Sequence, residues 1–554
     1  MTLTHDEAVA QVTGSGQWFE TTEADIGGVS YTVFKHAPRS LRDIFDLSRS
    51  RGDATFLVYE DERWSFADVM AAVDALGSAL VEHYGIGHGD RVAIGMRNYP
   101  EWIVSYAAIL SVGGVVVSLN AWWTEDELDY ALQDSGSALL IADAERAERA
   151  AKLGVPILGV RLGDDESGAD RWEDVVVPRL GQSLPAVDID PDDDATILYT
   201  SGTTGRPKGA VSTHRAVLQA LMGFGCRAAV DRMRRESDGA GPQSGPWAFI
   251  LIVPLFHVTG CVAVMLSCFA AGVKMVIMYK WDPERALELI ERERVTNFVG
   301  VPTQSWDLLE SPRFAEFDTS SLVSVGGGGA PAPPELVKRV AGSFKKAGPG
   351  IGYGMTETNA LGPQNSGADY VGHPTSTGRT PPILDVEVRD PDGRPLPVGE
   401  RGEIWFKGPN LIRGYWNKPE DTAETIVDGW LRTGDIGRID DEGFVYVEDR
   451  AKDMVLRGGE NVYCAEVEAA IYEHPAVYEA AVLGVPHERL GEEVATVVFV
   501  RPGHDLTVDE LQEHVRARLA PFKVPTRVQI RHEQLPRNPA GKILKRELRE
   551  TFAS

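Results

Sequence analysis

From Leu41 onward the apolar positions follow two rhythms. Phe66 to His83 (FADVMAAVDALGSALVEH) places apolar side chains three and four apart, which predicts a helix with a buried face. A Gly-rich turn follows, and then Arg91 to Met96, a short apolar run that predicts a buried strand. Ser105 to Gly113 reads as a helix, Val115 to Leu119 as a strand, Thr124 to Asp134 as a helix and Leu139 to Ala142 as a strand. Strands separated by helices of this length predict a parallel sheet covered on its faces. The same rhythm returns at Ala248 to Val253, Lys274 to Tyr279, Asn297 to Val301 and Leu322 to Val325. Asp385 to Lys407 alternates with period two around a Pro-Asp-Gly turn, which predicts a small β subdomain. After Asp449 the texture changes. Val467–Tyr472, Val477–Val485, Glu493–Val500 and Val508–Leu519 predict a compact α+β unit.

Three stretches fall outside this rhythm. Residues 1 to 40 are polar and weakly periodic, and are expected to be an extension packed on the surface. Asp231 to Pro246 is rich in Gly, Pro, Ser and charge, which predicts a mobile surface loop. Cys261 to Met278 is the most apolar segment, but Ser267, Gly272 and Lys274 interrupt it. It reads as a buried helix and a strand, not as a membrane span. No repeat of 20–50 residues is present, which argues against a solenoid.

Composition narrows the functional classes. The 554 residues are 43% apolar and 25% charged, ordinary for a soluble protein of several domains. Lys and Arg number 55 against 82 Asp and Glu, a formal charge of −27 that disfavours nucleic acid or an anionic membrane as main partner. Cys226, Cys261, Cys268 and Cys464 form no CxxC pair, so neither a zinc site nor a disulfide framework is expected. The N-terminus lacks the basic start and apolar core of a signal peptide, and a cytoplasmic protein is expected.

The strongest chemical signal is Tyr199 to Gly209, YTSGTTGRPKG, after the apolar run Ala195–Leu198. Small residues let a ligand approach the backbone, and successive N–H groups with hydroxyls form an anion cradle to which Lys208 adds charge. Arg206 and Pro207 separate Gly205 from Lys208, so this is not the Gly-Lys-Ser/Thr nucleotide loop. On these residues alone, a phosphate loop and a flexible surface loop both remain open. In GYGMTET, Tyr353 offers a flat face for a base and Glu357 an oxygen ligand of the kind magnesium takes. Four glycines in SVGGGGAPAPP (Ser324–Pro334) favour a backbone wall against a flat ligand. Asp435, in a short loop after Trp430 and Leu431, suits the two hydroxyls of a ribose, or a helix cap.

Tyr199–Gly209 resembles the signature loop of the AMP-forming adenylating enzymes, which include acyl-CoA synthetases, peptide-synthetase adenylation domains and luciferases. PLFHVTG (Pro254–Gly260), GYGMTET (Gly352–Thr358), TGD (Thr433–Asp435), DRAKD (Asp449–Asp453), GGENVYCAEVE (Gly458–Glu468) and PRNPAGKILK (Pro536–Lys545) follow in the family's order. The resemblance implies an α/β fold with a large N-terminal domain of parallel-rich sheets, flanking helices and a small β subdomain. It implies a small mobile α+β domain at the C-terminus. The boundaries expected are an extension at 1–40, a large domain at 41–449, a hinge at 450–452 and a small domain at 453–554.

The resemblance also distributes roles. Thr200, Ser201, Gly202, Thr203, Thr204, Gly205 and Lys208 would hold ATP phosphates. Gly328, Gly352, Tyr353, Gly354, Thr356, Asp435 and Arg450 would bind the rest of the nucleotide, and Glu357 with Thr204 would hold Mg²⁺. Lys452 would be the hinge, a position where many relatives carry Asp. Lys542 would enter the site for the first half-reaction only. Phe256, His257, Val258 and Gly260 would wall the acyl pocket, with His257 a gate or carboxylate neighbour in preference to a general base. Gly458 and Gly459 would line a CoA channel, with Lys280 at its phosphates.

The implied reaction activates a carboxylic acid with ATP as an acyl adenylate and passes the acyl group to the thiol of CoA. The alternative is a stand-alone enzyme loading a carrier protein. A nucleotide-binding sensor without catalysis would lack Lys542, Glu357 or the phosphate-loop residues, and all are present. Val258 to Val264 contains no acid to pair with an α-amine, so an uncharged fatty or ring-containing acyl group is expected. The partners implied are the acid, ATP and CoA; a homodimer is allowed.

Overall fold

The structure is a computed structural model that describes residues 3–163, 168–200, 206–239, 246–330, 332–344, 346–450, 453–457, 460–538 and 541–552. The expectations for Ser201, Gly202, Thr203, Thr204, Gly205, Lys452, Gly458 and Gly459 lie outside the described residues.

Two eight-stranded sheets carry most of the chain. In the first, Asp194–Thr200, Val115–Ser118, Arg91–Gly95, Leu139–Asp143 and Ile157–Val160 run parallel side by side. In the second, Gly348–Gly352, Ser324–Gly328, Asn297–Gly300, Ala248–Leu251, Lys274–Ile277 and Thr55–Tyr59 do the same. Each sheet gains antiparallel strands at its edges. The Arg91 strand shows why its sequence is apolar at every position. Val92 and Ile94 enter one core while Ala93 enters another on the opposite face. A strand covered on both faces has no polar side to present.

The first of these cores also takes side chains from the second sheet and from the helices Phe66–Glu82 and Pro100–Ser111. All twelve residues of the latter are buried; most are apolar, and Glu101 pairs with Arg161. Thr124 caps the helix Glu125–Ser135, accepting from the Glu127 N–H while the Glu127 carboxylate accepts from the Thr124 N–H. Asp385–Arg389 and Gly402–Lys407 pair antiparallel in a smaller five-stranded sheet with Trp430–Ile439 and Val445–Arg450, as the period-two pattern predicts. The last sheet is built from residues 455–531 around the long hairpin Val477–His487 and Gly491–Val500, with its own cores.

Four differences from the sequence reading stand out. Residues 5–34 form a helix, His5–Val12, and a hairpin, Thr21–Ile26 with Val29–Phe34, which bury Ala8 and Phe34 against the long helix His214–Ser237. That helix also runs through 231–237, which were expected to be loop. An Arg227–Asp231 pair one turn apart and a bidentate Arg234–Asp369 pair hold it. Gly326, Gly327 and Gly328 lie within a strand, not beyond one. Asp435 is likewise in mid-strand, in Trp430–Ile439. All four cysteines are buried and unbridged.

Candidate active site

The glycine wall is a pairing of two strands. Gly326 faces Gly350 and Gly328 faces Gly352, so the adjoining strand ends are glycine on both sides. A methyl group on Gly328 would stand 3.1 Å from the Gly352 carbonyl oxygen. Beyond Gly352 the chain reverses. A methyl on Gly354 would come within 2.4 Å of the Ala360 carbonyl oxygen, and one on Gly362 within 2.3 Å of that of Tyr353. The Tyr353 N–H donates to Pro363 O at 2.9 Å. The glycines of this motif therefore permit a tight backbone crossing that fixes Tyr353.

Tyr353 donates its hydroxyl to the Asp435 carboxylate, and its ring lies tilted on Phe406 at 5.9 Å. Burial first, and the Asp435 charge second, push the Tyr353 hydroxyl far above its usual range, so it remains a donor at neutral pH. Thr433 Oγ1 accepts from the Asp435 N–H at 3.1 Å and donates to Ile404 O at 2.7 Å, while Gly434 takes the left-handed φ of +70°. Arg450 closes the strand opposite, with Nε 3.4 Å from Asp435 Oδ1. Tyr353, Asp435 and Arg450 thus meet although 82 residues separate the first two.

Glu357 sits in the short turn Thr356–Thr358 and is buried. Its Oε1 accepts from the Tyr415 hydroxyl at 2.7 Å. Burial raises the Glu357 carboxyl above its ordinary range, against the opposing Tyr415 bond. Asn359, held at φ +52°, locks the turn: its Oδ1 accepts from Ser212 Oγ at 3.0 Å and its Nδ2 donates to Asn410 O at 3.0 Å. Asn410 Nδ2 returns a bond to Thr358 O at 2.9 Å. Thr200 ends its strand opposite Lys208. Lys208 Nζ pairs with Asp421 and stands 5.5 Å from the Tyr415 ring centre. Lys208 thus starts its strand with its ammonium group paired to Asp421.

Asn359, Asn410, Tyr415 and Asp421 escape sequence reasoning. Asn359 directly follows GYGMTET and was within reach of it. The other three join the site only through long-range pairing.

Pro254–Gly260 leads from the strand Ala248–Leu251 into the π-helical stretch Thr259–Leu266. A methyl on Gly260 would stand 2.2 Å from Pro254 O, so this glycine makes the reversal. Val258 is buried, and Phe256 packs edge-on to Trp122 at 5.5 Å. Burial and the charge of Lys542 press His257 down to about 4, so it is neutral at pH 7. Lys542 lies in the loop after Arg537, its N–H on Asn538 Oδ1 at 2.9 Å. Its Cε is 3.5 Å from where a methyl on Gly329 would stand. Lys542, His257 and the glycine wall are thus brought together. Lys280 is exposed past the end of Lys274–Ile277, and among the described residues no hydrogen bond or ion pair joins it to this cluster.

The chain resembles known proteins along most of its length. The model of the AMP-binding enzyme family matches residues 45–416, and that of the AMP-binding enzyme C-terminal domain matches 466–542. A long-chain-fatty-acid–CoA ligase of Bacillus subtilis is 34% identical over 550 residues, covering 92% of this chain and 94% of that one. A feruloyl-CoA synthase of Amycolatopsis sp is 36% identical over 510 residues, covering 91% and 97%. The crystal structure of ATP-bound MatB from Rhodopseudomonas palustris superposes with a TM-score of 0.80 at 33% identity, over 92% of this chain and 99% of that one. With family models over both parts of the chain and relatives of this identity along nearly its whole length, the protein belongs to the AMP-binding enzyme family.

Proposed function

We propose that the protein is an AMP-forming acyl-CoA ligase that activates an uncharged fatty or ring-containing carboxylic acid. One observation carries this reading. Lys542, from the C-terminal part of the chain, stands over the glycine wall beside His257, and Tyr353, directly after the wall strand Gly348–Gly352, joins Asp435 and Arg450 of the neighbouring five-stranded sheet.

In the first step a carboxylate oxygen attacks the α-phosphorus of ATP and pyrophosphate leaves, giving an acyl adenylate. Lys542 faces the charge that develops there, in surroundings apolar enough to keep His257 neutral. Asp435 accepts from the ribose hydroxyls, and Tyr353 and the glycine strands flank the adenine. Lys208 and the 200–205 segment take the phosphates, with Thr356 near the α-phosphate. Mg²⁺, which keeps most of its waters and needs only one or two carboxylates, fits at Glu357, where a cation would offset the cost of a buried charge. When bound, it would neutralise phosphate charge. Neutral His257 offers the acid a hydrogen-bonding wall without repelling the acyl chain. In the second step the domain after 452 turns about Lys452, Lys542 withdraws, and Gly458 and Gly459 admit the pantetheine arm. The thiol sulfur attacks the acyl carbon and AMP leaves. On this reading the large domain is 41–449, the hinge 450–452 and the small domain 453–554.

The test is pyrophosphate release by the purified protein across acids of graded length and ring content, with CoA or a carrier protein as acceptor. Each acid is paired with its 2-amino analogue. The segment 256–264 offers no carboxylate to an ammonium group. The plain acid should therefore win by at least about 10²-fold in kcat/KM, equivalent to about 2.7 kcal/mol. Preference for the amino acid, or turnover with a carrier protein and not with CoA, would move carrier loading to first place.

A further inference from the structure

The loop that bears Lys542 does not reach the site by itself. The helix Pro302–Glu310 of the large sheet domain meets the C-terminal part of the chain at both of its ends. At its start, a methyl on Gly541 (φ +83°) would stand 2.8 Å from a methyl of Val301, the residue that precedes the helix. Near its end, the Asp307 carboxylate accepts from the Tyr478 hydroxyl at 2.7 Å and from Trp281 Nε1 at 2.8 Å. Glu310 pairs with Arg501 and also takes Arg339 Nη1 at 2.9 Å. The Arg501 guanidinium lies over Trp306 of the same helix at 5.4 Å and over Tyr478 at 5.5 Å.

The next links run inward. Glu479, next to Tyr478 at a bulge in the strand Val477–His487, is buried. Its carboxylate accepts from Leu535 N at 2.9 Å and Arg537 Nη2 at 2.7 Å. Arg537 in turn donates to Gly541 O at 2.5 Å, and Asn538 exchanges bonds with the Lys542 backbone. Helix, strand and loop are thus linked from Asp307 to the residue before Lys542.

We propose that the Pro302–Glu310 helix is the docking rail that sets Lys542 for adenylation, and that Tyr478 and Arg501 are positioning residues specific to that half-reaction. This rests on the reading of Lys542 as the adenylation lysine. Among the described residues, neither side chain has a hydrogen bond, ion pair or ring contact with the glycine wall or His257. Their effect is on the population of molecules in which Lys542 is seated. A charge-assisted hydrogen bond lost from such a contact lowers that population about tenfold, and the paired loss lowers it further.

The experiment measures both half-reactions in the full-length double variant Tyr478→Phe/Arg501→Met. Pyrophosphate release without CoA reads the first, and thioester formation from synthetic acyl adenylate reads the second. The expected result is a fall of at least about tenfold in the first with the second unchanged. The second step on the same preparation also reports folding. Glu310→Gln, made from the other side of the contact, must give the same split, and Arg501→Lys must keep more of the first step than Arg501→Met. Equal losses in both steps, or no loss in either, overturn the rail. Wild-type protein that releases pyrophosphate with no acid overturns the ligase reading instead.

Discussion

Replacing Lys542 by Ala separates the two half-reactions most sharply. The side chain brings its Cε to 3.5 Å from where a methyl on Gly329 would stand, and one positive charge with it. Burial together with the Lys542 charge presses the His257 imidazole down to about 4, so the two side chains feel one another. A preorganised charged donor in such surroundings contributes about 10²–10³ in rate, or about 3–4 kcal/mol. Pyrophosphate release by Lys542→Ala should fall by that factor. Thioester formation from supplied acyl adenylate should stay within about twofold, because no pyrophosphate leaves there. A second readout belongs to the same variant. With the neighbouring charge gone, His257 should titrate closer to the ordinary histidine range, which NMR of the imidazole can follow. Equal loss in both half-reactions would refute the division of labour. Loss of the first step with an unmoved His257 would mean that Lys542 acts from somewhere other than beside that histidine.

Other consequences follow from the same geometry. Tyr415→Phe removes a hydrogen bond that favours ionised Glu357, whose carboxyl burial has already raised, so the acid limb of the adenylation profile should move to higher pH. An unmoved limb would take Glu357 out of the first step. Asp449 is pushed from 3.8 to about 6 by burial, even though it accepts from Arg450 N and Cys464 N. The folded chain binds this proton more tightly than the unfolded one, so stability is lost as pH rises through that window, by about 3 kcal/mol once both states are ionised. Asp449→Asn should therefore gain more in melting temperature over wild type at about pH 7.5 than at about pH 5, and an equal gain at both would refute the assignment.

Much of the sheet framework was legible because strands such as Arg91–Gly95 are apolar on both faces and helices such as Glu125–Ser135 carry their caps in sequence. The misreadings have physical causes. TGD looks like a loop because Gly434 breaks β propensity, yet its left-handed φ only turns a strand that continues on both sides. Residues 231–237 look like linker because their support is the Arg234–Asp369 pair, across 135 residues. The hairpin of residues 21–34 hides because its polar face is real and its buried Phe34 hydrogen-bonds through its backbone to Gln219, far along the chain. Motif order singled out Tyr353, Asp435, Arg450, His257 and Lys542 as candidates, while the Asn359–Asn410 lock and the Tyr415 hydroxyl follow no local pattern.

The site draws on two kinds of support. Tyr353, Asp435 and Glu357 are fixed by backbone crossings, strand pairing and buried amides, all within the part of the chain before Arg450. Lys542 depends instead on a relay of side chains that ends on the Pro302–Glu310 helix. On the proposed two-step reading, strain or mutation in the first kind of support would alter nucleotide binding in both half-reactions, because AMP would stay in place until the thiol displaced it. Failure in the second would alter only whether the lysine is present. A chain built to use one nucleotide site twice needs that separation. On the proposed reading, the groups that would hold the nucleotide are backbone-locked, while the lysine that would leave is held through a hydroxyl and a guanidinium that meet the Pro302–Glu310 helix.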